Sequence, residues 1–124
     1  MSRRSLTRSE LSFLSHPPQR ALARIATVDS AGLPHVVAGG WSYDSESGDL
    51  ILGGREVPQT RRAQFVRDTG VAAVVIDGLA DGPGWRPWGI QVRGRASVDE
   101  AAGAIRLTVD DVTSWGLEAV GQPA

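Results

Sequence analysis

The residues best suited to chemistry in this chain are Thr60, Arg61 and Arg62, which open a predicted helix. The first turn of a helix carries unpaired N–H groups and partial positive charge, and both favour a bound anion. A threonine hydroxyl and two guanidinium groups would complete a phosphate site there. The plainer alternative, an N-cap followed by two solvated arginines, stays open. Positive charge at a helix start opposes the macrodipole, however, and a bound anion would relieve that conflict.

Other chemistries have less support in the residues. The chain contains two histidines, His16 and His35, but no cysteine, no lysine and no Gly-x-Ser-x-Gly run. Without the Gly-x-Ser-x-Gly run, a serine triad would lack its usual sequence signature. The two histidines do not have the spacing of metal ligands, and without lysine there is no side-chain amine for Schiff-base chemistry. We therefore predict no metal and assign no catalytic residue. His35 follows a turn and is predicted to lie on the surface or at a rim, with a substrate-binding or proton-donating role as the alternative.

The two commonest nucleotide-binding motifs are also missing. The stretch Gly53-Gly54-Arg55 is glycine-rich, but it lacks the Gly-Lys-Ser/Thr ending of a P-loop. No Gly-x-Gly-x-x-Gly run precedes a predicted helix. Any phosphate must therefore be held by arginine side chains or by backbone N–H groups.

Arginine and tryptophan residues on the predicted strands give two further candidates. Arg93 and Arg95 share one strand face, where they could bind an acidic ligand, although carboxylates on neighbouring strands are the more ordinary partners. The tryptophans near strand ends could form the wall of a pocket for a planar ligand, or they could pack in the core or in a dimer interface. They are Trp85, Trp88 and Trp115.

Composition limits the class of protein. A length of 124 residues suits one domain, which we expect to span residues 1–124. Thirteen basic and fourteen acidic residues give a net charge of −1, which argues against nucleic acid or an anionic membrane as a partner. The sequence shows no signal-peptide pattern and no apolar stretch of membrane length, so we expect a cytoplasmic location.

Hydrophobic patterning predicts two short helices and six strands. Thr7 to Glu10 has capping-box spacing and predicts a helix over residues 8–15, while Thr60 caps a second helix that reaches residue 68. Residues 71–77 are apolar almost throughout, as a strand buried on both faces would be. Short links between strands favour an antiparallel barrel over βαβ units. The predicted strands are residues 20–28, 35–43, 50–52, 71–77, 89–98 and 105–109.

An ordered set of motifs carries a family resemblance. The motifs are Arg24-Ile-Ala-Thr-Val-Asp-Ser-Ala-Gly-Leu-Pro-His35, the strand ending in Tyr43-Asp44, Thr60-Arg61-Arg62, Val74-Val-Ile-Asp77, Trp85-Arg-Pro-Trp-Gly-Ile-Gln-Val-Arg-Gly-Arg-Ala96 and Ser114-Trp-Gly-Leu-Glu118. Across roughly residues 10–118 the chain resembles the pyridoxamine 5'-phosphate oxidase-like split β-barrels, in particular their actinobacterial branch that uses the deazaflavin F420. Within that branch it is most similar to the group containing the oxytetracycline-pathway reductase.

The resemblance implies a six-stranded antiparallel split β-barrel of the FMN-binding type, with Greek-key connections and two short helices. It also implies a homodimer with a cofactor in each of two interface clefts. In the relatives the cofactor phosphate is held where a helix opens, and the second strand runs along the ring. The cofactor-binding residues implied here are Ala38, Gly39, Gly40, Trp41, Gly53, Gly54, Thr60, Arg61, Arg62 and Trp88.

The implied function is an oxidoreductase of a biosynthetic pathway that transfers hydride from reduced F420 to an enone-like carbon of a small organic, polyketide-type substrate. An FMN-dependent oxidase or reductase of the same fold is the first alternative. Flavin-binding relatives carry basic residues along the second strand, whereas residues 36–41 carry none, which favours F420. A cofactor-free cyclase, isomerase or small-molecule binder is the second alternative, and the small residues Gly39 and Gly40 favour it.

Overall fold

Two α-helices form where the capping signals predict them. The computed structural model describes residues 5–17 and 21–120, in which α1 spans Arg8–Ser15 and α2 spans Arg61–Thr69. Thr7 and Glu10 close the start of α1 as a capping box, since each backbone N–H bonds to the other residue's side chain. No described helix is long and apolar enough to cross a membrane. Single 3₁₀ turns lie at Val57–Gln59 and Leu117–Ala119.

Eight strands make up most of the rest of the described chain. They are β1 (Ala23–Val28), β2 (Pro34–Gly39), β3 (Trp41–Asp44), β4 (Asp49–Leu52), β5 (Val71–Leu79), β6 (Pro87–Asp99), β7 (Ala104–Thr108) and β8 (Asp111–Trp115). All ladders are antiparallel and follow the order β2-β1-β5-β6-β7-β4-β3, with β8 also paired to β6. Within the described residues no ladder joins β2 to β3, so the sheet stays open at that point. This mainly antiparallel fold with two helices is consistent with a split barrel.

The prediction of six strands is wrong, in part because the predicted strand 35–43 is two strands. It breaks at Gly40, where the chain stops pairing with β1 and starts pairing with β4. The Gly40 carbonyl accepts a hydrogen bond from the N–H of Gly53 at 3.0 Å, which fixes the break. The hydrophobic pattern continues across this point, so the pattern alone does not reveal the change of partner. The first residue of the predicted strand 20–28 lies outside the described residues.

β8 is the second strand that the sequence did not predict. It pairs with β6 from Gly89↔Trp115 to Arg93↔Asp111. Of its five residues only Val112 is buried, and the others are polar or partly exposed. A short strand with one buried apolar residue does not show the alternation by which strands are recognised.

β5 differs from the prediction in its burial. Residues 71–77 were expected to be buried on both faces, but they alternate. Ala72, Val74 and Ile76 point into the core, whereas Val71 is 43% exposed on the opposite face. The outer face of the sheet is therefore apolar along β5, whereas on the neighbouring β6 it carries Arg93 and Arg95.

α1 is held on the barrel by an aromatic cluster and a buried carboxylate. The Phe13 ring stacks on Trp41 at 6.2 Å and contacts Trp88 at 5.6 Å. Glu10 is fully buried and accepts a hydrogen bond from the Ser114 hydroxyl of β8. A helix of only eight residues is marginal by itself, so these tertiary contacts are what stabilise it.

Replacing Phe13 with alanine should lower the free energy of unfolding by about 3–5 kcal/mol, the usual cost of emptying a buried phenylalanine site. Leu11→Ala on the same helix is the matched control, because Leu11 is 43% exposed and should lose about 1 kcal/mol. Urea denaturation measures both. Equal losses in the two variants would show that α1 does not depend on the aromatic cluster.

Candidate functional site

Thr60 positions the start of α2. Its Oγ1 donates to the Val57 carbonyl at 2.6 Å and accepts from the Ala63 N–H at 3.2 Å. The hydroxyl is therefore engaged in capping the helix. The N–H groups of Arg61 and Arg62, in the first turn, have no acceptor inside the helix. The sequence predicted this cap, and the structure confirms it.

Arg62 lies against a glycine that leaves room for its guanidinium group. A Cβ built on Gly54 would come within 2.6 Å of the Arg62 Nη2, and the φ of Gly54 is +149°. Any other residue would displace the guanidinium group and strain the backbone. The Nε of Arg62 is buried and has no hydrogen-bond partner. A buried unpaired donor is costly, so an acceptor at this place would be strongly favoured.

Arg61 and His35 are brought together by the ring of Phe65. The Arg61 guanidinium carbon lies 5.5 Å from the ring centroid, and the His35 ring lies 4.4 Å from it. Phe65 is on α2 and His35 is on β2, so the contact joins the helix to the edge strand. Phe65 was not predicted to belong to a site, because an aromatic residue in a helix is ordinarily a core residue.

Asp29 orients the imidazole of His35. The His35 Nε2 lies 3.1 Å from Oδ2 of Asp29, while the other carboxylate oxygen accepts from the N–H groups of Ala31 and Leu33. The hydrogen bond from His35 is the largest of the effects that hold the pKa of Asp29 below its ordinary value, and the two backbone donors act in the same direction. His35 was predicted to be a rim residue; it lies at the rim, and it has a carboxylate partner.

These groups surround a cavity of about 180 Å³ between β1, β2 and α2. At ~30 Å³ per water it has room for about six water molecules, enough for a tetrahedral oxyanion. It is too small for a fused three-ring system, since pockets that bury such ligands start at ~300 Å³. Its lining is Ile25, Thr27, His35, Val36, Val37, Arg61, Arg62 and Phe65.

The charge of this lining is not balanced by the protein. Among the described residues, neither Arg61 nor Arg62 has a carboxylate within ion-pairing distance. Other arginines do have one: Arg95 makes a two-pronged contact with Asp110 at 2.9 and 3.0 Å, and Arg93 pairs with Asp111. The prediction of carboxylate partners for Arg93 and Arg95 is therefore confirmed. Further pairs join Arg24 to Asp77, Arg67 to Glu100, and Arg106 to Asp44, Asp49 and Asp99.

A side-chain-free surface adjoins the cavity and contains most of the other predicted residues. A Cβ built on Gly39 would lie 3.3 Å from the Gly53 carbonyl, and Gly53 bonds to Gly40. Gly54 follows Gly53 and contacts Arg62. Ala38 and Gly39 at the end of β2, Gly40 after it, and the Gly53-Gly54 pair are thus brought together beside the arginines. We call this the glycine surface.

The two predicted tryptophans lie elsewhere. Trp41 donates from its Nε1 to the Ala21 carbonyl at 3.1 Å and stacks on Phe13. Trp88 is 9% exposed, packed against Phe13 and under Gly78. The structure does not bring Trp88 to the glycine surface. Large aromatic residues near strand ends are compatible with a pocket wall or with packing in the core. Trp41 and Trp88 pack against Phe13 because α1 docks beside them.

The comparisons with known proteins show the fold. No family model matches the chain, and no curated protein matches it. Among solved structures, a conserved hypothetical protein of Mycobacterium tuberculosis aligns with a TM-score of 0.65 at 16% identity, over 97% of this chain and 91% of that one. A FAD-binding protein of Mesorhizobium loti aligns with a TM-score of 0.64 at 15% identity, over 92% of this chain and 96% of that one.

A protein described as an F420 reductase also aligns, with a TM-score of 0.51 at 21% identity, over 69% of this chain and 60% of that one. The neighbours of this fold thus include a FAD-binding protein and an F420 reductase. At these identities the likeness concerns the fold alone.

Arg62→Ala should weaken the binding of inorganic sulfate about ten- to 150-fold, because a lost charge-assisted hydrogen bond costs ~1.5–3 kcal/mol. Arg67→Ala is the matched control. Arg67 is on the same helix but already bonds to Glu100 and to the Pro58 carbonyl, so its loss should leave sulfate affinity unchanged. Isothermal titration measures both variants, and equal affinities would show that Arg62 is a solvated arginine only.

Proposed function

We propose that the chain is a subunit of an F420-dependent oxidoreductase that reduces a small organic substrate. The observation that carries this proposal is the pair of guanidinium groups at the start of α2, Arg61 and Arg62, which line the cavity and have no carboxylate partner among the described residues. The cofactor phosphate would be held there by Arg61, Arg62 and the first N–H groups of the helix. The volume of the cavity suits that phosphate and leaves the ring system outside it.

The glycine surface offers a place for the ring. Gly40 and Gly53 have no side chains and open space where a Cβ would lie, so a planar group could approach the backbone closely there. F420, when bound, would supply the hydride that goes to the substrate. The chain itself would bind the phosphate, orient the ring against β2, and exclude water from one of its faces.

The choice of F420 over FMN rests on β2. Flavin-binding members of the family that this chain resembles hold the phosphate with basic residues along this strand. The only ionisable side chain on β2 is His35, and the strand otherwise reads Pro, Val, Val, Ala and Gly. A FAD-binding protein among the structural neighbours keeps a flavin-dependent enzyme of the same fold as the second candidate.

A second copy of the chain would complete the site. The cavity is too small for the ring, and the glycine surface covers only one side of a planar ligand. The outer face of the sheet carries a groove of about 550 Å³, lined by apolar residues that include Ala26, Val28, Val71 and Ala73 and, along β6 and around the start of β8, by the paired charges Arg93, Arg95, Asp110 and Asp111. Thr27 of β1 lines both features, which lie on opposite faces of that strand: Ala26 and Val28 face the groove, whereas Ile25 faces the cavity. We propose that a partner subunit packs on this groove by two-fold symmetry.

F420 should bind with micromolar affinity, and FMN at least tenfold more weakly, because β2 offers FMN no basic residue. Fluorescence titration with each cofactor measures both. FMN binding as tight as or tighter than F420 binding would reject the F420 assignment and support the flavin alternative. Binding of neither cofactor would reject both.

Light scattering at micromolar concentration should give the mass of a homodimer, and Val71→Glu should shift it towards a monomer with weaker cofactor binding. Val71 lines the groove, and the longer, charged glutamate side chain would disturb the packing of a second copy there. Leu79→Glu is the matched control, since Leu79 is an exposed apolar residue of the same strand outside the groove. A wild-type monomer that binds cofactor would contradict the dimeric site.

A further inference from the structure

The His35–Asp29 pair has no part in the function proposed above, although it borders the anion cavity. His35 contributes to the lining together with Arg61 and Arg62. Its Nε2 is bonded to Asp29, and its ring is packed on Phe65. The ring is thus fixed from two sides at the wall of a cavity that already carries two positive charges.

We propose that His35 is the third ligand of the anion site, and that it takes up a proton when a tetrahedral oxyanion binds. This inference rests on the proposed function, in which the oxyanion is the phosphate of the cofactor. Asp29 is a positioning residue that holds the imidazole ring and stabilises its protonated form.

The charges around His35 explain why binding and protonation should be coupled. Asp29, in the turn between β1 and β2, favours the imidazolium form. Arg61 and Arg62, on α2, oppose it, because like charges in a small cavity repel. The remaining groups that face the ring from β1, β2 and α2 are neutral. A bound anion neutralises the two arginines and removes the repulsion, so that only the favourable effect of Asp29 is left.

Asp29 is able to keep this role over the relevant pH range. Its pKa is lowered below the ordinary aspartate value, chiefly by the hydrogen bond from His35. It therefore stays ionised when the imidazole titrates, and an ionised carboxylate accepts hydrogen bonds only. The Nε2 of His35 must then be the donor in this pair, and the proton taken up goes to Nδ1.

The coupling predicts a specific pH dependence. If one proton is taken up with each anion, affinity should fall about tenfold for each unit by which the pH rises. Sulfate is the appropriate probe, because it remains a dianion throughout the range in which histidine titrates. Any pH dependence of its binding then belongs to the protein.

Isothermal titration with sodium sulfate between pH 5.5 and 8.5, at constant ionic strength, tests the proposal. Wild type should show the tenfold slope, with about one proton taken up per sulfate in buffers of different ionisation enthalpy. His35→Gln should bind weakly with no slope, and Asp29→Asn should move the slope to lower pH. His16→Gln is the matched control, because His16 is the other histidine of the chain and should leave the slope intact.

The outcomes separate this inference from the function on which it rests. Sulfate binding by wild type without a slope, or a slope that survives in His35→Gln, would overturn the role of His35 and leave the anion site standing. Absence of sulfate binding at any pH would overturn both. F420 should displace sulfate in a competition titration, and independent binding of the two would overturn the assignment of the cavity to the cofactor phosphate.

Discussion

The chain passes from β2 into β3 through two residues that have no side chains, and the arrangement of the site depends on this passage. Gly39 lies against the Gly53 carbonyl, and Gly40 accepts the hydrogen bond of the Gly53 N–H. β2 and β3, the first and last strands in the order of the sheet, are thereby brought together without a ladder between them. The same contact places Gly54 where the Arg62 guanidinium group needs space. A larger side chain at residue 39 would have to displace the backbone of Gly53. This would also move the next residue, Gly54, which lies against Arg62.

Charge is the second organising feature. Five of the ten arginines among the described residues pair with carboxylates at the surface, and the exposed pairs contribute little to stability. Arg106 is the most elaborate case, because it contacts Asp44, Asp49 and Asp99, and its hydrogen bonds help to lower the pKa values of Asp44 and Asp99. Arg61 and Arg62 have no such partners among the described residues. Positive charge at the end of a helix dipole that is itself positive is unfavourable.

The comparisons show the fold, but they do not identify the ligand. The fold is common to proteins as different as a FAD-binding protein and an F420 reductase, and it is retained at about one identical residue in six. Because one fold hosts many functions, the choice among ligands must come from the site. Here the site combines a small cationic cavity, a surface without side chains, and an edge strand on which histidine is the only ionisable residue.

The sequence by itself determined the features that depend on neighbouring residues. The capping box of α1, the Thr60 cap of α2 and the alternation along β6 were all predictable, because each depends on residues within a few positions of one another. Only the tertiary structure decided the number of strands. At Gly40 the chain changes the strand with which it pairs, from β1 to β4, while its hydrophobic pattern does not change. It also decided that Trp41 and Trp88 hold α1, and that Phe65 joins His35 to Arg61. These contacts join residues that are distant in the chain, and a local pattern carries no information about which distant surfaces will meet.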